Sequence, residues 1–380
     1  MTTPALPPRA VLLDPIRIVL TLLVILHHTA ITYGGGGDWY YKEAGAPEWM
    51  QRLLSILTAT NQSFFMGFFF LLAGYLTPGP LARKGETAYL GERLWRLGFP
   101  ILIFGHLLQP LTVALSRAAE GSDFWPTLQQ LLAHNTFGLG PLWFNQALIL
   151  FAVAWCFAPR VEAGFLSRCW PTGFHARVAL LVVLTSLFAF ILRLAVPAGR
   201  NLIGMQIGYF GSYIVLFVTG ALVARSRMLE AITWRQAGPW LLVSALSFPT
   251  LWLYALFGGA FNGQDWRGGW NLPALAYACW EPFVAAGILL GMLAFFRGWR
   301  HSEAALCRRL SDASFIAFIV HAPLVVAASW AVQGLVAHPM QRFLVAATLA
   351  CLASFALGDI LTRALACWRM KRFAAARPIA

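Results

Sequence analysis

The sequence predicts an all-α fold, a polytopic transmembrane helical bundle of about ten spans with both termini in the cytoplasm. Composition, apolar runs and the distribution of positive charge predict it. Of 380 residues, 59% are hydrophobic and 11% are charged, and the mean hydropathy is +0.67. A soluble domain usually carries about a quarter charged residues. This composition therefore excludes an ordinary water-soluble globule and a disordered chain.

Apolar runs long enough to cross a bilayer recur along the whole chain. About 20 apolar residues are needed to cross the roughly 30 Å of hydrocarbon. We place ten spans at residues 11–33, 55–77, 98–116, 142–158, 176–197, 207–224, 239–257, 274–296, 313–333 and 343–364. The segments between them are mostly short and polar, so successive loops are expected on alternating sides of the membrane.

Positive charge is concentrated on one side of this map. Of the 28 lysines and arginines, 20 fall on the side of the N-terminus and six on the other, while Arg17 and Arg193 lie inside spans. Because cytoplasmic loops are enriched in Lys and Arg, the N- and C-termini are both predicted to be cytoplasmic. The same asymmetry accounts for the net charge of +13, and we expect no nucleic-acid partner.

We expect a single integral-membrane domain over residues 1–380, in a bacterial-type inner (plasma) membrane. A cytoplasmic N-terminal segment would cover residues 1–10 and a cytoplasmic tail residues 365–380. The six cysteines form no Cys-x-x-Cys pair, so we expect neither a disulfide framework nor a metal.

Ionisable residues inside spans are costly and commonly functional, and the first span contains three on one face. Arg17 and His28 are eleven residues apart, which at 100° per residue is about 20° beyond three full turns. Asp14 lies within about 40° of His28 on the same helix, whereas His27 points elsewhere. Taken singly, an arginine near a span end commonly extends to the headgroups and a membrane histidine commonly only packs. Their common face favours a site.

Polar residues elsewhere are more ambiguous. Arg93 and Arg96 lie on the cytoplasmic side before the third span. They could simply be part of the positive charge that sets the topology, or they could bind a phosphate. Trp143 lies at the outer interface, where tryptophan is common. Glu281 is several residues inside the eighth span and needs a partner. Arg193 is near the outer end of its span and is expected to extend to the headgroups.

Four stretches in order resemble the membrane acyltransferase-3 family. Arg17 and His28 are similar to its R-x10-H signature. Residues 68–76 resemble its FFxxSGFL segment, with Ala73 where serine is usual, and residues 93–100 resemble its RRxxRLxxP segment. Residues 314–323, which include His321, resemble its SYxxYLxHxP segment. The element at 142–144 looks most like the branch that succinylates periplasmic glucans.

The resemblance implies transfer of an acyl group from cytoplasmic acyl-CoA, such as acetyl-CoA or succinyl-CoA, to a hydroxyl of an extracytoplasmic glycan or related acceptor. It implies that His28 is the catalytic histidine and that Arg17 is essential. Arg93 and Arg96 would help hold the CoA phosphates, while His321 would lie next to the site. We also expect substrate contacts from Trp143 and Asp14.

The positions of these residues agree with that chemistry. His28 lies about 16 Å deeper than Arg17 along the helix axis, roughly the length of the pantetheine arm of CoA. A neutral histidine can take the proton of an attacking hydroxyl near pH 7. Asp14 is too far along the axis to orient His28, so Glu281 is the candidate for that role. Direct transfer and an acyl-histidine intermediate are both open mechanisms.

Two other classes of function are also open. A proton-coupled transporter or exporter of a small solute or lipid-linked sugar would use Arg17, His28 and Glu281 as a proton path. However, the halves of the sequence show no internal repeat of the kind common in transporters. A haem or quinone protein would need histidines paired across helices, as His28 and His321 could be.

Overall fold

The computed structural model describes residues 12–158, 172–257, 263–299 and 304–375, and these ranges contain helices but no β-strand. The predicted all-α class is therefore confirmed. The N-terminal segment at 1–10 and residues 376–380 of the predicted tail lie outside the described ranges.

Helices occupy every predicted span. Within the described ranges, nine helices are long and apolar enough to cross a membrane, and the sixth span corresponds to a shorter apolar helix. Numbered in chain order, they are α1 Leu13–Thr32, α2 Glu48–Tyr75, α3 Glu86–Ala119, α4 Gly140–Phe157, α5 Phe174–Ala195, α6 Ile207–Val223, α7 Trp234–Phe257, α8 Leu272–Arg297, α9 Ala305–Val332 and α10 Pro339–Ala375. Short helices at Pro78–Lys84, Phe124–Ala133 and Met228–Ala231 lie between them.

Contacts between helix ends show that α1 and α9 run in the same direction and that α10 runs in the opposite one. At the start of α1, Asp14 accepts a hydrogen bond from Ser311, near the start of α9. After the end of α1, Glu43 pairs with Arg342 near the start of α10. We call the first of these the inner end of the bundle and the second the outer end, following the predicted topology. The orientation in the membrane itself stays a prediction.

Helix α1 lies in the centre of the bundle and packs against α2, α8, α9 and α10. Of its apolar window, 61% is buried, compared with 22% for α5 and 17% for α7. A helix buried on several sides needs partners for its polar groups inside the protein, since neither water nor headgroups can reach them. The polar face of α1 is therefore held by α9 and by the loop that follows α1.

Glycines allow α2 and α6 to approach backbone to backbone. A Cβ on Gly74 would lie 2.0 Å from the carbonyl oxygen of Phe217, and one on Gly220 would lie 2.1 Å from that of Leu71. Small residues at such crossings let membrane helices pack closely where the hydrophobic effect gives no driving force.

Helix α3 contains two π-helical segments, Leu94–Gly98 and Phe104–Leu108. Each is followed within two residues by a proline, Pro100 and Pro110 respectively. Proline cannot donate an amide hydrogen bond and its ring crowds the carbonyl four residues earlier, so the helix widens locally.

We predict that Gly220→Ala destabilises the fold, whereas Gly238→Ala does not. The added methyl at 220 meets the α2 backbone, and overpacking of this kind costs about 1–3 kcal/mol. A Cβ on Gly238, in α7, meets nothing within 4 Å. Thermal unfolding in detergent, followed by tryptophan fluorescence, should show a lower midpoint for the first variant only. Equal midpoints would contradict the close crossing of α2 and α6.

Candidate active site

A pair of histidines lies in the outer half of the bundle. Nδ1 of His28, on α1, is 3.0 Å from Nε2 of His321, on α9. The two rings are nearly parallel, with centroids 5.0 Å apart. His321 is fully buried, whereas His28 is partly exposed. His27 lies on another face of α1 and packs against Phe65, as the helical angle predicts.

A backbone carbonyl fixes the direction of this hydrogen bond. Nδ1 of His321 lies 2.5 Å from the carbonyl oxygen of Phe318, which can only accept. With both rings neutral, His321 therefore donates from Nδ1, and its Nε2 must accept from Nδ1 of His28. Nε2 of His28 then has a free lone pair, and among the described residues it has no hydrogen-bond partner. A histidine held in this form is ready to act as a base.

Trp39 covers one face of the His28 ring. The two rings are stacked, with centroids 3.8 Å apart and an interplanar angle of 14°. The glycine run at 34–37 reverses the chain above α1, and Gly34 and Gly37 both have positive φ values. The stacking of Trp39 on His28 could not be predicted from the sequence, because glycine-rich loops have no helical register from which a contact can be predicted.

The loop that carries Trp39 is fixed to neighbouring helices. Tyr40 donates a hydrogen bond to Gln109 of α3, and Ser116 donates to the carbonyl of Tyr40 at 2.5 Å. Burial raises the pKa of the Tyr40 hydroxyl, so it stays protonated and keeps this role as donor. Glu43 pairs with Arg342 of α10. Contacts of the loop with α3 and α10 thus position Trp39.

The inner end of α1 carries the remaining polar residues of its stripe. Nη1 of Arg17 is 3.7 Å from Oδ1 of Asp14, and the same oxygen accepts from Oγ of Ser311 at 2.9 Å. Asp14 is buried, while about a third (35%) of the Arg17 side chain is exposed. The structure therefore places Asp14 as a partner of Ser311 and Arg17, remote from the histidines. Ser311 was missed, although it lies on α9 only three residues before the resembling segment at 314–323.

Arg93 and Arg96 are on the inner part of α3, at and just after its first turns. Nε of Arg93 donates to the Tyr89 hydroxyl at 3.1 Å, and its guanidinium lies over the Tyr89 ring. Arg96 is exposed and lies within the first π-helical segment. Both are accessible to a charged group at the inner end.

Trp143 is not in direct contact with the histidine pair. It stacks with Tyr213 at a centroid distance of 5.9 Å and is part of an aromatic core. The ring of Phe144 contacts that of Phe318, and the ring of Phe318 contacts that of His321, with centroids 5.9 Å and 5.6 Å apart respectively. These contacts connect the aromatic core to His321. The contact of Trp143 with substrate stays a prediction.

Glu281, which was expected to orient His28, pairs instead with Arg193 of α5. Nη2 of Arg193 is 2.5 Å from Oε2 of Glu281, and its Nε donates to the carbonyl of Gly208 at 3.0 Å. The Arg193 guanidinium also lies over the rings of Tyr209 and Tyr277. Its side chain is only 1% exposed, so the expectation that it extends to the headgroups is wrong. The group that orients His28 is His321.

Opposite charges near the outer ends of two spans could have predicted this pair. Arg193 and Glu281 are buried charges of opposite sign, and buried charges in a membrane pair with one another. The two residues are 88 positions apart in the sequence, so the sequence alone did not indicate that α5 and α8 are in contact.

Comparison with known proteins finds one protein family whose model covers nearly the whole chain. A family model described as an acyltransferase domain, the third acyltransferase family of that name, matches residues 12–363. No curated protein and no solved structure matches the chain.

We predict that Glu281→Gln lowers the stability of the protein strongly. Removal of one partner leaves the Arg193 charge buried, and such a loss costs about 3–5 kcal/mol. Arg267→Gln is the matched control, since its pair with Asp265 is exposed and pairs of that kind contribute about 0–1 kcal/mol. Thermal unfolding in detergent measures both. A midpoint for Glu281→Gln no lower than that of the control would contradict a stabilising role.

Proposed function

The chain belongs to the acyltransferase-3 family, and from this we propose that it is a membrane O-acyltransferase that uses cytoplasmic acyl-CoA and an extracytoplasmic hydroxyl acceptor. The observation that carries the proposal is the His28–His321 pair, which leaves one nitrogen of His28 free. The family match favours acyl transfer over the transporter and over a haem or quinone protein.

His28 serves as the general base in this proposal. The acceptor oxygen attacks the thioester carbonyl while its proton passes to Nε2 of His28. The resulting imidazolium is oriented by its Nδ1–H bond to His321, whose own ring is held by the Phe318 carbonyl. When the carbon–sulfur bond breaks, the same proton returns to the thiolate of CoA, and the ester of the acceptor is released. Histidine suits both steps because it can accept and return a proton near pH 7.

The donor approaches from the inner end. The anionic headgroup of acyl-CoA cannot enter hydrocarbon, so it stays where Arg17, Arg93 and Arg96 are accessible. Arg17 and His28 are eleven residues apart on α1, about 16 Å along its axis. The pantetheine arm spans that distance and delivers the thioester to His28.

The acceptor approaches from the outer end, beneath Trp39. A glycan is proposed because an aromatic ring at the entrance suits stacking on a sugar face. The transferred group is acetyl or succinyl, and the resemblance of residues 142–144 to the glucan-succinylating branch supports succinyl. The proposed location is a bacterial inner membrane, with the N-terminus in the cytoplasm.

We predict that His28→Ala abolishes release of CoA from acyl-CoA by the purified protein, while acyl-CoA binding is retained. Loss of a general base lowers rates by about 10²–10⁴-fold. His27→Leu is the matched control, because the neighbouring ring packs on Phe65 and is assigned no chemical role; it should keep most of the activity.

Succinyl-CoA and acetyl-CoA are the donors to be tested, with a glucan acceptor present. If His28→Ala retains the rate of the unmodified protein, His28 is not the base. If the unmodified protein neither binds nor consumes either thioester, the proposed donor is wrong.

We predict that Arg96→Gln raises KM for acyl-CoA about tenfold with little change in kcat, since one hydrogen bond to a charged group contributes about 1.5–3 kcal/mol. Arg83→Gln is the control, an exposed arginine in the same inner segment. A donor that lacks the 3′-phosphate of CoA tests which phosphate Arg96 contacts. If Arg96 contacts the 3′-phosphate, the KM for this donor should be similar in the Arg96 variant and in the unmodified protein. An unchanged KM with full acyl-CoA would contradict a binding role.

A further inference from the structure

An apolar cavity lies between α2, α5, α6 and α8, apart from the histidine pair. Its volume is about 130 Å³, and its lining is almost wholly apolar, with Leu71, Leu181, Leu216, Ala286 and Leu289 among the contributing residues. It shares no lining residue with the histidine site. Such a lining favours an apolar occupant over water.

The few hydroxyl groups in the lining do not change this character. Thr185 donates to the carbonyl of Leu181 at 2.7 Å, and Thr219 donates to that of Val215 at 2.7 Å. Ser63 and Ser212 likewise donate to carbonyls of their own segments. Their protons are already used, so the wall presents hydrocarbon to whatever occupies the cavity.

Helix α5 makes close contacts with α6 and α8 near its outer end. There, a Cβ on Gly211 of α6 would lie 2.6 Å from the backbone nitrogen of Ala189, and Arg193 binds Glu281 of α8. The inner half of α5, which includes Arg177 and Leu181, lines the cavity instead. The cavity, called the wedge below, therefore lies along the inner half of α5.

Both the position and the length of this wedge fit one lipid chain. Helix α5 is peripheral, with only 22% of its apolar window buried, so the wedge lies at the edge of the bundle next to the bilayer. Its lining on α8 extends from Pro282 to Leu293, eleven residues or about 16 Å of helix. One leaflet contributes about half of the 30 Å hydrocarbon core, which is the same length.

We propose that this cavity binds one hydrocarbon chain of an anionic phospholipid, with the lipid phosphate at Arg177. Arg177 lines the inner end of the cavity, is partly exposed, and donates from Nη2 to the carbonyl of Thr172 at 3.4 Å. Arginine offers paired N–H donors that match a phosphate. A cationic mouth above an apolar wedge is complementary to an anionic headgroup above an acyl chain. This site would hold α5 against the bundle from the lipid side.

Native mass spectrometry of the full chain in detergent tests the proposal. Dioleoyl-phosphatidylglycerol and dioleoyl-phosphatidylcholine are added at equal concentrations, and the unmodified protein should retain one molecule of the first in preference. Ala286→Phe fills the wedge and should lose this molecule. Leu246→Phe is the control, on an outward face of α7 where Leu246 is 66% exposed, and it should retain the lipid.

Arg177→Gln tests the headgroup contact in a variant whose substitution is at the surface. One basic residue near a membrane surface contributes about 1 kcal/mol to binding of anionic lipid, so phosphatidylglycerol should bind about fivefold more weakly. Arg235→Gln, another exposed arginine at the inner end, should bind as the unmodified protein does. Equal retention of the two lipids by the unmodified protein, or equal effects of the two arginine substitutions, would overturn the proposal. So would full lipid retention by Ala286→Phe.

Discussion

The hydrogen bond from His28 to His321 is the interaction on which the proposed site depends. Its direction follows from a backbone carbonyl, which cannot donate and therefore sets the proton positions of both rings. The usual partner of a catalytic histidine is a carboxylate, which would place a net negative charge in the membrane. A neutral imidazole orients His28 without that charge, and so without its desolvation cost.

The central position of α1 gives the two ends of the site their separation. Because α1 is one uninterrupted α-helix from Leu13 to Thr32, the eleven-residue interval between Arg17 and His28 is a fixed distance of about 16 Å along its axis. In the proposed reaction, the inner end binds a charged, water-soluble donor and the outer end receives the acceptor. Neither substrate would then need to cross the membrane completely, because only the thin pantetheine arm would enter. The two substrates can be kept at separate ends because α1 carries polar groups at both ends, and α9 provides a partner for each group.

Much of this arrangement could be predicted from the sequence, and the remainder could not for identifiable reasons. The ten spans follow from apolar length alone, and the common face of Arg17 and His28 follows from helical angle, which is local. Contacts between distant helices are not local. The sequence suggested Glu281 as the partner of His28 because a buried carboxylate needs a partner, and that premise was correct, but the partner is Arg193. Likewise, the stacking of Trp39 on His28 depends on how the glycine run at 34–37 turns, which helical angle cannot predict.

The two buried polar pairs show how a membrane protein separates support from chemistry. Arg193 and Glu281 pair with each other, and the guanidinium is further held by a carbonyl and two tyrosine rings, so the pair fixes α5 to α8. His28 and His321 carry no charge when neutral, and the chain of donors ends at a nitrogen with a free lone pair beside a partly exposed entrance. Burial of an ionisable group therefore indicates importance but not the kind of importance. What distinguishes the catalytic candidate is that its hydrogen-bond chain is open at one end, at Nε2 of His28, and that His28 is partly exposed whereas His321 is buried.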